Sequence, residues 1–263
     1  MEGYDRTTYG EAFADVYDDW YADVSDVAAT TSTLTELALD RRPTARVLEL
    51  GVGSGRLAVP LAADHRLSVV GIDASPAMLA LARDRDPDRR VTLIEGDMVA
   101  DLPPGPFDLV LVAYNTLFNL TAVGEQARCF AAVADRLEPG GRFVVEAFVP
   151  DEPAPSGDVV AVRSMSTDRV VLSISRQDAA RQIAEGQFVE FTEAGGVRLR
   201  PWSIRYATPH QLDAIADAAG FDLEARWADM TRAAPCDDDD RHVTVYRRRD
   251  HDRATIGARS RRS

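Results

Sequence analysis

Three acidic residues and one glycine-rich segment carry the chemistry that this sequence offers. An apolar run at 46–50 leads directly into Glu49-Leu50-Gly51-Val52-Gly53-Ser54-Gly55. Glycines at alternate positions let backbone approach a ligand and turn with positive φ where side chains would clash. Asp73 closes the run VVGID, and Asp97 follows a further run in IEGDM. A dinucleotide-binding loop places glycine at the sixth position of GxGxxG, but here Arg56 stands there, and its bulk obstructs a pyrophosphate. The pattern suits a nucleoside without a pyrophosphate. Asp73 is placed to accept both ribose hydroxyls, and Asp97 the amino hydrogens of an adenine, with Met98 as a soft apolar wall. Singly, each acid is more often a solvated loop residue, and the glycine segment alone reads equally well as a tight strand-to-helix turn. Their joint placement after three successive strands is what points to a site.

The elements that position them follow from periodicity. Runs at 46–50, 67–72, 91–94, 109–113 and 143–148 read as buried parallel strands. Ser75-Pro76 reads as an N-cap with proline at the first helical position. Phe130, Val133 and Leu137 mark a helix face that Pro139-Gly140-Gly141 stops. This alternation predicts a doubly wound α/β sheet with its ligand site beyond the carboxyl ends of the strands. Residues 151–206 change to short alternating runs with a Gly195-Gly196 turn, predicting a small antiparallel sheet inserted after the fifth strand. It is expected to form a lid over the substrate pocket or a subunit contact. The α/β pattern resumes at Thr208-Pro209-His210-Gln211, a capping box whose helix Gly220 ends, and strands near 223–227 and 242–246 finish the sheet. The expected division is therefore a helical cap at 1–45, a core at 46–150, the insertion at 151–206, the rest of the core at 207–246 and a disordered tail at 247–263 with seven arginines.

Composition excludes much else. The 263 residues carry a net charge of -13, and all 30 basic residues are arginine. Without lysine there is no Schiff-base enzyme and no Walker P-loop. The acidic balance argues against nucleic acid as a partner. Two distant cysteines and four scattered histidines support neither a disulfide framework nor a metal site, and no metal is expected. With no apolar run near 18 residues and no leader pattern, the expectation is a soluble, cytoplasmic protein without a membrane role.

These residues resemble the class I S-adenosylmethionine-dependent methyltransferases. The resemblance lies in VLELGVGSGRLAVPLA, VVGIDASPAMLALAR, IEGDM, FDLVLVAYNTLFNL and LEPGGRFVVEAF, over residues 46–148. It implies a seven-stranded sheet with an antiparallel last strand, and S-adenosyl-L-methionine as cofactor. It also implies Glu49, Gly51, Gly53 and Gly55 near the methionyl part, Asp73 at the ribose, Asp97 and Met98 at adenine, and Ala74, Met78 and Ala113 beside them. The inserted sheet and a Tyr-rich N-terminal helix look like small-molecule enzymes that methylate amino sugars of antibiotics. In similar enzymes that helix caps the cofactor, which implies Tyr9, then Tyr17, in the site; the plainer reading is a helix packed on the core.

Methyl transfer needs nucleophile, methyl carbon and sulfur in line, so positioning supplies much of the acceleration. The groups expected beside the methyl are Tyr114, Asn119 and Glu146, at the ends of the fourth and fifth strands. Glu146 is the candidate proton acceptor; a structural pairing with a lid arginine such as Arg176 is the alternative. A nitrogen or oxygen of a small molecule is the expected acceptor. Two other readings remain open at this point: a non-catalytic S-adenosylmethionine-binding regulator and a nucleotide-cofactor oxidoreductase. A homodimer joined by paired lids is a further possibility.

Overall fold

The computed structural model describes residues 1–21, 24–236 and 238–250. It opens with two short helices, α1 (Thr8–Phe13) and α2 (Tyr17–Trp20), and a longer α3 (Val27–Leu39). Then come β1 (Ala45–Leu50), α4 (Ala58–Leu61), β2 (Leu67–Asp73), α5 (Pro76–Arg85), β3 (Thr92–Glu95) and β4 (Phe107–Val112). A 3-10 turn (Thr116–Asn119), α6 (Glu125–Arg136) and β5 (Leu137–Phe148) follow. Four strands, β6 (Gly157–Met165), β7 (Arg169–Asp178), β8 (Ile183–Thr192) and β9 (Val197–Arg205), precede α7 (Pro209–Ala218), β10 (Phe221–Trp227) and β11 (Arg241–Arg248).

The main sheet has seven strands in the order β10-β11-β5-β4-β1-β2-β3, with β11 antiparallel to both neighbours. Strand order reverses between β1 and β4, which is where a crevice opens beyond the carboxyl ends. Its two faces bury separate clusters. Phe130, Phe143, Phe221 and Tyr246 pack with Leu212 of α7 on one face, and Leu34, Leu57 and Leu79 cover Val47, Val69 and Val245 on the other. Local signals act as expected. The Ser75 side chain accepts from the Met78 amide, Thr208 and Gln211 form the capping box, and Gly220 follows α7 at φ +88. No described helix is long and apolar enough to cross a membrane.

Three local expectations are corrected. The N-terminal aromatic residues do not share one helix: the chain breaks between α1 and α2, so Phe13, Tyr17 and Tyr21 are gathered by packing instead. Pro139-Gly140-Gly141 lies inside β5, because a register shift opposite Phe107 and Leu109 and a φ of +71 at Gly140 absorb it. The tail does not begin at Arg247, since β11 runs through Arg248 and Arg249 donates to Asp222 at 2.7 Å. Residues 251–263 lie outside the described residues.

The second sheet, β6-β7-β8-β9, is separate from the first and antiparallel throughout. One of its faces covers the N-terminal helices. Phe188 meets Phe13 and Trp20 edge-on at 5.9 and 5.5 Å. Arg200, 1% exposed, donates to Asp15 at 2.6 Å, to Glu190 at 2.8 Å and to the Ala12 carbonyl at 2.6 Å. This buried guanidinium, with Arg198 on Asp15 at 2.8 Å, pins the cap to the sheet. Arg200→Ala removes the cation shared by the two carboxylates and leaves Asp15 to Arg198 and Glu190 to Arg169. Breaking a fully buried pair costs about 3–5 kcal/mol, so with Asp15 41% exposed the expected loss is about 2–3 kcal/mol. Urea denaturation checks the loss, and limited proteolysis is expected to cut first within the N-terminal helices.

Candidate active site

The crevice holds a cavity of about 750 Å³, its open mouth included, walled by the glycine loop, the ends of β2 and β3, the 3-10 turn and the N-terminal segment. Gly51 and Gly53 have φ of +63 and +55. A Cβ on Gly51 would stand 2.3 Å from the Thr116 methyl, so only glycine lets the turn after β4 close against this loop. Asp73 organises the opposite side. Its Oδ2 accepts the Gly53 amide at 2.8 Å and its Oδ1 the Ser75 amide at 2.9 Å. Each oxygen keeps a second lone pair, enough for two hydroxyls. Burial pushes this carboxyl above the usual range, against the pull of the backbone amides.

Asp97 is less free than its sequence position suggests. Its Oδ1 accepts from Val99 and Ala100, and its Oδ2 pairs with Arg6 at 2.6 Å. Arg6, Tyr4 and Asp5 all line the cavity, and none of them is distinguished in the sequence from an ordinary polar segment. Thr116, Ile72 and Leu120 are further wall residues that sequence reasoning missed; only the close approach to Gly51 reveals Thr116.

Of the expected cofactor residues, Tyr9, Tyr17, Gly51, Gly53, Asp73, Ala74, Met78, Asp97 and Met98 line the cavity. Glu49, Gly55 and Ala113 do not stand among the wall residues. Gly55 packs helix on helix, since a Cβ there would meet Val59 and Ala82 at 3.0 and 3.3 Å. Glu49 sits behind the loop, buried, with its Oε2 lacking any partner. Burial pushes its carboxyl up to about 8, although Arg56 pulls the other way. An unsatisfied buried carboxylate oxygen beside a glycine loop fits an ammonium group on the ligand. Together with the spare lone pairs of Asp73, this donor and acceptor set fits a nucleoside carrying an amino-acid tail.

Aromatic rings close the N-terminal side. The Tyr9 hydroxyl donates to that of Tyr21 at 3.0 Å, Tyr17 lies 5.0 Å from Tyr21 between centroids, and Tyr21 lies 5.6 Å from Tyr114. Burial raises the hydroxyls of Tyr9, Tyr17 and Tyr114 above the ordinary tyrosine value.

Among the three expected catalytic residues, Asn119 lines the cavity. Tyr114 and Glu146 are joined to each other: the Tyr114 amide donates to Glu146 Oε2 at 3.1 Å. Tyr114 and Asn115 hold φ of +45 and +64, and the Asn115 amide donates to the Glu146 carbonyl at 3.1 Å. Glu146 is 4% exposed, and burial raises its carboxyl while Arg56 and Arg241 oppose the rise. Its alternative partner is excluded, because Arg176 pairs with Asp158 at 2.9 Å on the second sheet. That sheet supplies no wall residue of this cavity and reaches it through the aromatic cap.

Residues 47–141 match the family described as Methyltransferase domain. The chain is 31% identical over 191 residues to a dTDP-3-amino-3,4,6-trideoxy-alpha-D-glucopyranose N,N-dimethyltransferase of Streptomyces venezuelae, covering 70% of this chain and 78% of that one. Over 86 residues it is 44% identical to a release factor glutamine methyltransferase of Geobacter sulfurreducens, but it covers only 30% of that protein. Among solved structures, the CcbJ methyltransferase from Streptomyces caelestis superposes with a TM-score of 0.85 at 35% identity, covering 94% of this chain and all of the other. An amino pentose methyltransferase from Micromonospora echinaspora, solved with SAM bound, superposes at 0.65 with 25% identity, covering 94% and 99%.

The buried Glu49 makes stability depend on pH. The folded chain keeps this carboxyl protonated to about pH 8, whereas its ordinary value is 4.5. Between those values the native state binds the extra proton, so Glu49's contribution is present below about pH 4.5 and is lost as pH rises towards 8. Glu49→Gln removes the ionisation. Urea unfolding of the ligand-free protein at pH 5, 6.5 and 8 is expected to show a shallower decline for the variant than for the wild type.

Proposed function

This chain belongs to the S-adenosylmethionine-dependent methyltransferases, and from that membership we propose that it methylates an amine nitrogen of a small molecule of the amino-sugar class. Family membership removes the oxidoreductase reading. The observation that carries nitrogen over oxygen is the character of the wall. Tyr4, Tyr9 and Tyr17 line the cavity, the Tyr21 and Tyr114 rings pack behind them, the carboxyls of Glu49 and Glu146 are buried behind the wall, and the chain contains no lysine. Faces of aromatic rings attract cations, and a buried carboxyl gains most from a cationic neighbour. An acceptor that arrives as an ammonium suits this wall better than a neutral hydroxyl does. A relative named for N,N-dimethylation of an amino sugar and one named as an amino pentose methyltransferase agree in kind.

When bound, S-adenosylmethionine supplies an electrophilic methyl on a sulfonium, and the N–C bond forms as the C–S bond breaks. The residues of the chain do the rest. Gly51, Gly53 and Asp73 hold the nucleoside against the strand ends, with Asp97 and Met98 at the base and Glu49 at the ammonium of the amino-acid tail. Tyr9 and Tyr17 exclude water from the cofactor side. Glu146 takes the proton that the acceptor nitrogen must lose, and Tyr114, held by Glu146 at its amide, shapes the acceptor side with Asn119. Holding the reactants in line is the larger contribution.

Asp73→Ala is expected to weaken S-adenosylmethionine binding by about 1.5–3 kcal/mol, the scale of lost charge-assisted hydrogen bonds, as read by calorimetry. Unchanged affinity in a folded variant discards the ribose assignment. For the acceptor, mass spectrometry follows methyl incorporation into amino sugars and into their hydroxyl counterparts. Methylated amine is expected, and product from the hydroxyl series alone overturns nitrogen. Glu146→Gln should lower turnover on the amine about 10²-fold or more, the scale of a lost proton acceptor, with cofactor affinity kept. Full turnover would leave orientation as the whole mechanism.

A further inference from the structure

We propose that Asn115 is a positioning residue of this site: its left-handed backbone and its side-chain carbonyl hold Glu146 so that Oε1 alone receives the acceptor's proton. The proposal rests on the reading of Glu146 as the proton acceptor. β4 ends at Val112 while β5 runs on to Phe148, so the end of β5 outruns its parallel neighbour. Asn115 continues the ladder. Its amide donates to the Glu146 carbonyl at 3.1 Å, and its Oδ1 accepts the Phe148 amide at 2.7 Å. In a parallel ladder such a residue bonds to the residues on either side of its partner, so Asn115 stands opposite Ala147. A side-chain carbonyl replaces the main-chain one there. The main-chain carbonyl of Asn115 accepts the Phe118 amide at 2.9 Å instead, which starts the 3-10 turn carrying Thr116 and Asn119.

This arrangement selects asparagine. Tyr114 and Asn115 hold φ of +45 and +64, two successive left-handed residues of which neither is glycine. Left-handed backbone is strained for most side chains and easiest for glycine and asparagine. Glycine would supply the turn without the acceptor, and alanine would supply neither. Strain of this kind persists where surrounding bonds over-determine it, and here it has a use. It turns the Tyr114 amide back towards β5, where the N–H donates to Glu146 Oε2 at 3.1 Å.

The bond divides the two oxygens of Glu146 between two tasks. Oε2 is held by the Tyr114 amide, and Oε1 receives no hydrogen bond among the described residues. The charges facing the carboxyl are Arg56 after the glycine loop, Arg241 of β11 and Asp229 beyond β10, beside the Tyr114 hydroxyl. An amide donor favours the ionised carboxyl, so the bond that aims the group also keeps it able to act as a base. The acceptor's ammonium gives its proton to Oε1, and the freed nitrogen lone pair forms the N–C bond as the C–S bond breaks. Glu146, left as the neutral acid, returns the proton to solvent.

The test uses the full chain, labelled at its seven tyrosine amide nitrogens for nuclear magnetic resonance; the signal lost in Tyr114→Phe is that of Tyr114. This amide is expected to shift with a carboxyl titration that Glu146→Gln abolishes and that Asn115→Ala abolishes or moves to higher pH. An amide that does not respond to pH, or that titrates in Asn115→Ala as in the wild type, overturns the proposal. So does a titration that Glu146→Gln leaves in place. Turnover on the amino sugar found to be methylated gives the second readout. Asn115→Ala is expected to lower kcat about tenfold or more, to keep S-adenosylmethionine affinity within about twofold, and to add little to the loss in Glu146→Gln. A loss that adds in full overturns the role assigned to Asn115 alone. Full turnover in Glu146→Gln overturns the proton-acceptor reading, and this proposal with it, whatever the amide titration shows. Asn115→Gly keeps the turn and loses only the side-chain acceptor, so it repeats the turnover cycle where Asn115→Ala loses its fold. A loss of about threefold that vanishes beside Glu146→Gln is expected there, and an unchanged kcat overturns the proposal.

Discussion

The acceptance of two backbone amides by one carboxylate fixes the geometry of this crevice. Asp73 takes the Gly53 amide with one oxygen and the Ser75 amide with the other, so the end of β2 is tied at once to the loop after β1 and to the start of α5. α1 joins the same point. Glu11 accepts from the Ser75 hydroxyl at 2.8 Å and from the Ala77 amide at 3.0 Å, where the exposed amides of a helix start favour a carboxylate. Gly10 lies so close that a Cβ would stand 2.4 Å from Ser75 Cβ. The loop has little freedom left once these contacts are made, and Thr116 against Gly51 removes what remains from the other side.

The outer shell is held on a different principle. Sequence neighbours build the crevice floor, but its roof depends on contacts spanning most of the chain, such as Arg200 to Asp15 across 185 positions. The roof is also tied unevenly. At its base a buried guanidinium and the Phe13, Trp20 and Phe188 rings lock α1 and α2 to the second sheet. At the cavity mouth the tie is Arg6 to Asp97, with Arg6 60% exposed, and exposed pairs of this kind hold weakly. The cap is therefore loosest where a ligand must pass and firmest where it meets the second sheet.

The sequence made the floor legible and left the roof obscure, for a physical reason. Strands buried on both faces, a glycine loop and acids at strand ends are local patterns with fixed periods, and they mark the elements that build the floor. The antiparallel insertion announced itself by a change of period at 151–206. Arg6, Thr116 and Leu120 carry no such pattern: their place on the wall arises from tertiary contact alone. The same holds for Arg200, one of the two arginines in the alternating run VRLR, whose burial depends on a partner far along the chain. The broken N-terminal helix shows the limit of expecting one helix from the aromatic spacing, since Phe13 and Trp20 keep their ring contact, and Tyr9 and Tyr21 their hydroxyl bond, across an interrupted backbone.

The carboxyls around the crevice share one electrostatic condition. Glu49, Asp73 and Glu146 are all raised by burial, and the strongest opposing charge for both glutamates is Arg56. The position that bars a pyrophosphate thus also supplies the positive field that keeps these acids from rising further. A guanidinium is suited to this because it does not lose its proton, whereas a buried lysine is able to. An ammonium set against such a carboxyl lowers its pKa, so binding a cation favours the carboxylate. For the proposed amine acceptor, the group that attracts the ammonium is the group that then takes its proton. The substrate would thus favour the ionised form of the base it uses, which a neutral hydroxyl does not do.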